Sequence, residues 1–107
     1  LTSPPDPPRR YAYCSDTAYC PEIIPYIEGV NVLYHEATFA ESEAVRAQET
    51  FHSTARQAAQ IAKDAGVKKL ILGHFSSRYT ELDALLREAQ AVFPDTRLAY
   101  EGMDIVL

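Results

Sequence analysis

Residues 53–74 read STARQAAQIAKDAGVKKLILGH. Ala55, Ala58, Ala59, Ala62 and Ala65 recur at helical spacing, which predicts a helix over 53–65 with one face of small residues. Such a face permits close packing on a sheet. Gly66 supplies the stop, because the left-handed residue that closes a helix carries least strain as glycine. The segment 67–72 follows at once and ends in the apolar run Leu70-Ile71-Leu72, as a central strand buried on both faces requires. A helix feeding directly into a buried strand is the grammar of an α/β layer.

The same grammar extends in both directions. Tyr11 to Cys14 reads as a short strand ending at the polar Ser15-Asp16-Thr17. Pro21 opens a short helix through Ile23, Ile24 and Ile27 that stops at Gly29. Residues 31–36, NVLYHE, form a second strand, and 40–48 are charged and weakly helical. Beyond the central strand, Thr80 caps a helix with Glu81 and Asp83 in its first turn. Leu82, Leu85, Leu86, Ala89 and Val92 make its apolar face, and Pro94 ends it. Residues 97–100 and 103–106 read as two closing strands joined at Glu101-Gly102. Residues 1–10, LTSPPDPPRR, carry four prolines and read as an extended linker. That linker is a poor natural start for a domain, so the chain is expected to be cut from something longer.

With 107 residues, the chain has the size of one domain. Its composition is that of a globular protein, and no stretch is long or apolar enough to cross a membrane. The net charge of −5 argues against a nucleic-acid surface built from this chain alone, since phosphate contacts need clustered Lys and Arg. It does not exclude a nuclease whose positive charge comes from metal ions or from elsewhere in a longer protein. Cys14 and Cys20 match no zinc-ribbon or thioredoxin spacing and read as reduced thiols, Cys14 packed on a strand and Cys20 capping a turn before Pro21.

Three histidines are present, His35, His52 and His74, each at a boundary where a strand or loop meets the next element. In parallel α/β sheets ligands bind where strands end, and Asp16 lies at such an end too. Four polar groups can therefore converge on one edge of the sheet without special geometry. Each has a plainer alternative. On spacing alone, Asp16 is a turn or helix cap before it is a bridging metal ligand. His35 and Glu36 are strand neighbours, so only one of them should face a given site. Glu36 either holds a histidine in its tautomer or ends a strand in solvent. His52 either donates a proton to a leaving oxygen or starts a helix that Ser53 or Thr54 caps. A lone histidine after a strand is more often structural than a ligand. The setting GHFSSR favours function for His74, because a rigid strand fixes the imidazole and Gly73 allows close backbone approach or an unusual dihedral. Ser77 and Arg78 suit phosphate.

The motifs CSDT at 14–17, HEATF at 35–39, FHST at 51–54 and GHFSSRY at 73–79 stand in the order in which the ribonuclease Z family carries them. From about Tyr11 onward, the chain resembles the carboxy-terminal part of that family, the endonucleases that trim the 3′ ends of precursor tRNAs. The resemblance implies the carboxy-terminal half of a metallo-β-lactamase-type αββα sandwich. That half would be a mixed sheet with helices on one face, spanning residues 11–107, and a two-zinc site at one edge. It implies Asp16 as the bridging metal ligand and His74 as a ligand of one zinc. His52 would assist departure of the 3′ oxygen and Glu36 would support His52. Arg78 and Ser77 would lie near substrate phosphate. His35 belongs to a motif without a firm role, a place behind the ligands being one reading of it. Zinc suits this donor set, and two ions would serve one phosphodiester hydrolysis.

The chain departs from the family in one large respect. The H-x-H-x-D-H motif that supplies most metal ligands is absent, as are a further ligand histidine and the tRNA-binding arm. The chain alone is therefore expected to hold no zinc stably and to be inactive. The sheet face left uncovered suggests a homodimer, and the setting expected is cytoplasmic. Two other functions remain open at this stage: a phosphodiesterase of the same superfamily acting on another substrate, and a non-catalytic assembly module.

Overall fold

In the computed structural model, residues 10–14, 19–76 and 82–99 are described. Their strands are β1 (Tyr11–Cys14), β2 (Val32–Glu36), β3 (Lys69–Gly73) and β4 (Thr96–Leu98). Between them lie α1 (Ile24–Ile27), α2 (Ala44–Glu49), α3 (Ala55–Ala65) and α4 (Asp83–Gln90). Single 3-10 turns at Pro21–Ile23 and Glu41–Glu43 lead into α1 and α2. The segment expected to be weakly helical thus starts as a tight turn and only then becomes regular. The helix expected to be capped by Thr80 instead starts at Asp83, with Leu82 at its N-cap and no side-chain bond there. Thr80, Glu81 and the last closing strand at 103–106 lie outside the described residues.

The sheet order is β1-β2-β3-β4, and every pairing among the described strands is parallel. Strands in sequential order joined by crossovers of one hand carry all their helices on one face. The core shows this layering. Leu33, Leu70 and Leu72 pack with Ala55, Ala58, Ala59, Ile61 and Ala62 of α3 and with Leu85 and Ala89 of α4. The alanine face read from the sequence is the buried face of α3. Its small side chains let the helix sit close to the strands, so a bulkier residue there would force them apart.

The ends of α3 are specified locally. Thr54 accepts the Gln57 backbone N–H at 3.1 Å, and the Gln57 side chain accepts the Thr54 N–H at 3.0 Å. This reciprocal pair satisfies two donors that a helix start otherwise leaves bare. Of the two candidates, Thr54 does the capping. At the other end Gly66 adopts φ +65.

The opposite sheet face carries Tyr11, Tyr13, Val32, Tyr34 and Ile71. Tyr13 stacks on Tyr34, with ring centroids 4.5 Å apart. Tyr34 lies across the backbone of Gly73. A Cβ there would come within 1.8 Å of the Tyr34 hydroxyl. Close approach, not an unusual dihedral, is therefore what Gly73 provides. The left-handed residue is its neighbour His74, at φ +58.

Candidate active site

The parallel register brings the carboxyl ends of β2 and β3 side by side, with Glu36 opposite Gly73. Two backbone bonds extend this alignment beyond the strands. Ala37 N–H donates to the Gly73 carbonyl at 2.8 Å, and Ser76 N–H donates to the Thr38 carbonyl at 3.0 Å. His74 is thereby held over the residues that follow Glu36. A third segment arrives through an isolated bridge between Phe39 and Thr54, reinforced by Ala55 N–H donating to the Phe39 carbonyl at 2.9 Å. That bridge places His52 beside the same strand end.

The result is one carboxylate serving two imidazoles. Glu36 is fully buried, and its Oε2 lies 2.8 Å from His52 Nδ1 and 3.2 Å from His74 Nδ1. Thr38 Oγ1 donates to the same oxygen at 2.8 Å. A buried carboxylate is costly unless donors replace its lost water, and here three converge on one oxygen. A carboxylate only accepts, so His52 presents its Nδ1–H to Glu36, while the Nδ1–H of His74 lies between Glu36 Oε2 at 3.2 Å and Thr38 Oγ1 at 3.1 Å. Each ring then turns Nε2 away from Glu36. The His52 side chain is 22% exposed and that of His74 47%. The ring centroids lie 5.3 Å apart. A carboxylate behind the Nδ1 of a histidine is the arrangement that orients an imidazole for a metal or for proton transfer. One ligand atom from each of Glu36, His52 and His74 can be chosen so that all lie within 4.8 Å of one another, a spacing compatible with a metal ion at this edge.

Glu36, His52 and His74, all singled out in the sequence, are thus brought together. His35 is not among them. It points to the helix-covered face, 1% exposed, as strand alternation requires. Its Nδ1–H donates to the Glu36 carbonyl at 2.8 Å, and its Nε2 is buried without a hydrogen-bond partner among the described residues. Burial pushes the His35 pKa below its ordinary value, because the charged form would lose its solvation. Asp16, Ser77 and Arg78 lie outside the described residues. Cys14 and Cys20 are free thiols. Burial raises the Cys14 pKa, so it stays protonated and packs as a small apolar group. Cys20 leaves the turn uncapped and donates instead to Glu22 Oε2 at 3.2 Å.

Sequence reasoning gave no role to Thr38. Its position two residues after Glu36, on the same side of the extended chain, was the available signal.

The beta-lactamase superfamily domain matches residues 4–75. The chain belongs to that superfamily. It is 60% identical over 107 residues to a ribonuclease Z of Porphyromonas gingivalis, covering all of this chain and 35% of that protein. It is 63% identical over 103 residues to the ribonuclease Z of Parabacteroides distasonis, 34% of which is covered. Among solved structures, it resembles the metallo-β-lactamase fold protein YhfI from Bacillus subtilis, with a TM-score of 0.79 and 29% identity. That match covers 85% of this chain and 37% of the other. The short form of human tRNase Z gives a TM-score of 0.59 and 31% identity, covering 75% of this chain and 26% of that one. The chain therefore spans about a third of the length of the curated relatives it matches. The fold class implied by the motifs, the metallo-β-lactamase type, is borne out. Among the described residues no helix is long and apolar enough to cross a membrane.

Proposed function

We propose that this chain supplies the carboxy-terminal part of a zinc-dependent endoribonuclease that removes the 3′ trailer from precursor tRNA. The observation that carries the proposal is the Glu36 carboxylate orienting both His52 and His74, on a chain about 60% identical to ribonucleases Z.

In the proposed mechanism, water attacks the phosphorus and the bond to the 3′ oxygen breaks. His52, held through Nδ1 by Glu36, gives a proton from Nε2 to the departing 3′ oxygen, a role worth roughly 10²–10⁴ in rate. His74, held by the same carboxylate, would hold a zinc through Nε2, and Asp16 would be the other metal ligand from this chain. Ser77 and Arg78 meet the substrate phosphate. Zinc, when bound, supplies the positive charge and the acidified water that the reaction needs. The remaining ligands come from the part of the relatives' length that this chain does not span. By itself this chain would then hold no zinc stably and cleave nothing. A homodimer covering the tyrosine-bearing sheet face and a cytosolic setting belong to the same proposal.

The test is zinc content and precursor-tRNA cleavage, measured side by side on this chain and on the full-length protein. A zinc-loaded active parent with a metal-free inactive chain is the expected result. A parent that binds zinc yet leaves precursor tRNA intact would sink the substrate assignment. The net charge of −5 favours the second candidate, a phosphodiesterase acting on smaller substrates. Comparing tRNA precursors with small phosphodiesters separates the two.

A further inference from the structure

Two helices end in the same way with different residues. After α3, Gly66 takes φ +65, Gly66 N–H donates to the Lys63 carbonyl at 3.2 Å, and Val67 N–H donates to the Ala62 carbonyl at 3.2 Å. After α2, Phe51 takes φ +60, Phe51 N–H donates to the Gln48 carbonyl at 3.3 Å, and His52 N–H donates to the Ala47 carbonyl at 2.8 Å. Both are the left-handed closing motif that strongly favours glycine. A bulky residue is strained there.

Packing does not compensate the strain at Phe51, whose residue is 73% exposed. Phe51 also immediately precedes His52, whose ring is partly open to solvent. The only other non-glycine residue with positive φ among those described is His74, in the same cluster. Strain of this kind collects where function requires a particular side chain at a particular point.

We propose that Phe51 is a stacking platform for an unpaired base of the RNA substrate next to the scissile phosphate, and so a residue that favours RNA over small phosphodiesters. This rests on the function proposed above. An aromatic face accepts any base, so it adds affinity for single-stranded RNA without selecting sequence. The αL turn sends the backbone back towards Glu36, which leaves the Phe51 ring outside while His52 is held inside.

The experiment uses the full-length protein and the substitutions Phe51→Gly and Phe51→Trp. Phe51→Gly relieves the backbone strain, so it should raise the melting temperature. It should also raise KM for precursor tRNA about tenfold, the scale of one lost base stack. The ratio of kcat/KM on precursor tRNA to that on methyl 4-nitrophenyl phosphate should fall by the same factor. Phe51→Trp, which keeps an aromatic face, should restore KM.

An unchanged KM in Phe51→Gly overturns the proposal. So does an equal loss on both substrates, or a lowered melting temperature, which would show that the ring is covered by another part of the protein. If wild-type protein fails to cleave precursor tRNA at all, the function proposed above falls and this proposal falls with it. If wild type cleaves and Phe51→Gly cleaves equally well, only the platform falls.

Discussion

His35 and Glu36 are adjacent on one strand, and both are buried. Beyond that they have little in common. His35 lies in the helix-covered apolar core with one nitrogen unpartnered among the described residues. Glu36 faces the other way and draws Thr38, His52 and His74 onto one oxygen. The difference shows how a sheet end separates two tasks. One face is filled for stability, and burial there disfavours the charged form of His35. The other face is wired with donors around the Glu36 carboxyl group. Burial alone does not distinguish the two residues; the number and kind of partners does.

The contrast breaks most sharply at Glu36. Glu36→Gln keeps the shape but removes the charge and offers an amide donor where two imidazole N–H groups already point. Activity of the full-length protein on precursor tRNA is expected to fall about 10–100-fold, the usual cost of losing a partner behind a ligand or acid. Steady-state cleavage checks this, and a loss smaller than threefold would place the orientation of His52 and His74 elsewhere.

Gly73→Ala tests the same edge through its backbone. The new methyl group collides with Tyr34, which must leave its stack on Tyr13. Overpacking of this kind costs about 1–3 kcal/mol. Denaturant melts should register that loss, together with a disturbed His74.

The smallest effect concerns His35, and its sign follows from burial. Its folded pKa lies below the ordinary 6.5. As pH falls below that value the unfolded chain takes up a proton that the folded chain refuses. The contribution to stability is therefore present above pH 6.5 and lost as pH drops from there towards the lowered folded value. His35→Leu should melt within about 1 kcal/mol of wild type at pH 7.5, because an apolar replacement of a poorly partnered polar group is near neutral. It should also lose less stability than wild type on acidification. Equal acid sensitivity in the two proteins would mean that His35 does not contribute to the slope.

Much of the architecture was legible in the sequence. The alanine face of α3, its stop at Gly66 and the apolar strand after it follow from local periodicity and local backbone preference. These act within a few residues and can be read there. The ends of the strands named the edge where Glu36, His52 and His74 meet, and the four ordered motifs named the superfamily.

The sequence alone did not decide which of His35 and Glu36 faces the site, or that one carboxylate serves both His52 and His74. It also did not show that Gly73 is small to admit Tyr34, or that Phe51 stands exposed in a conformation suited to glycine. Glu36 meets partners 16 and 38 residues away in the chain. Such meetings depend on the parallel register of β2 against β3 and on the bridge from Phe39 to Thr54. Local pattern determines which residues stand at the ends of the elements. Tertiary packing alone determines which of those ends touch, because register is set by the whole sheet and not by any one strand.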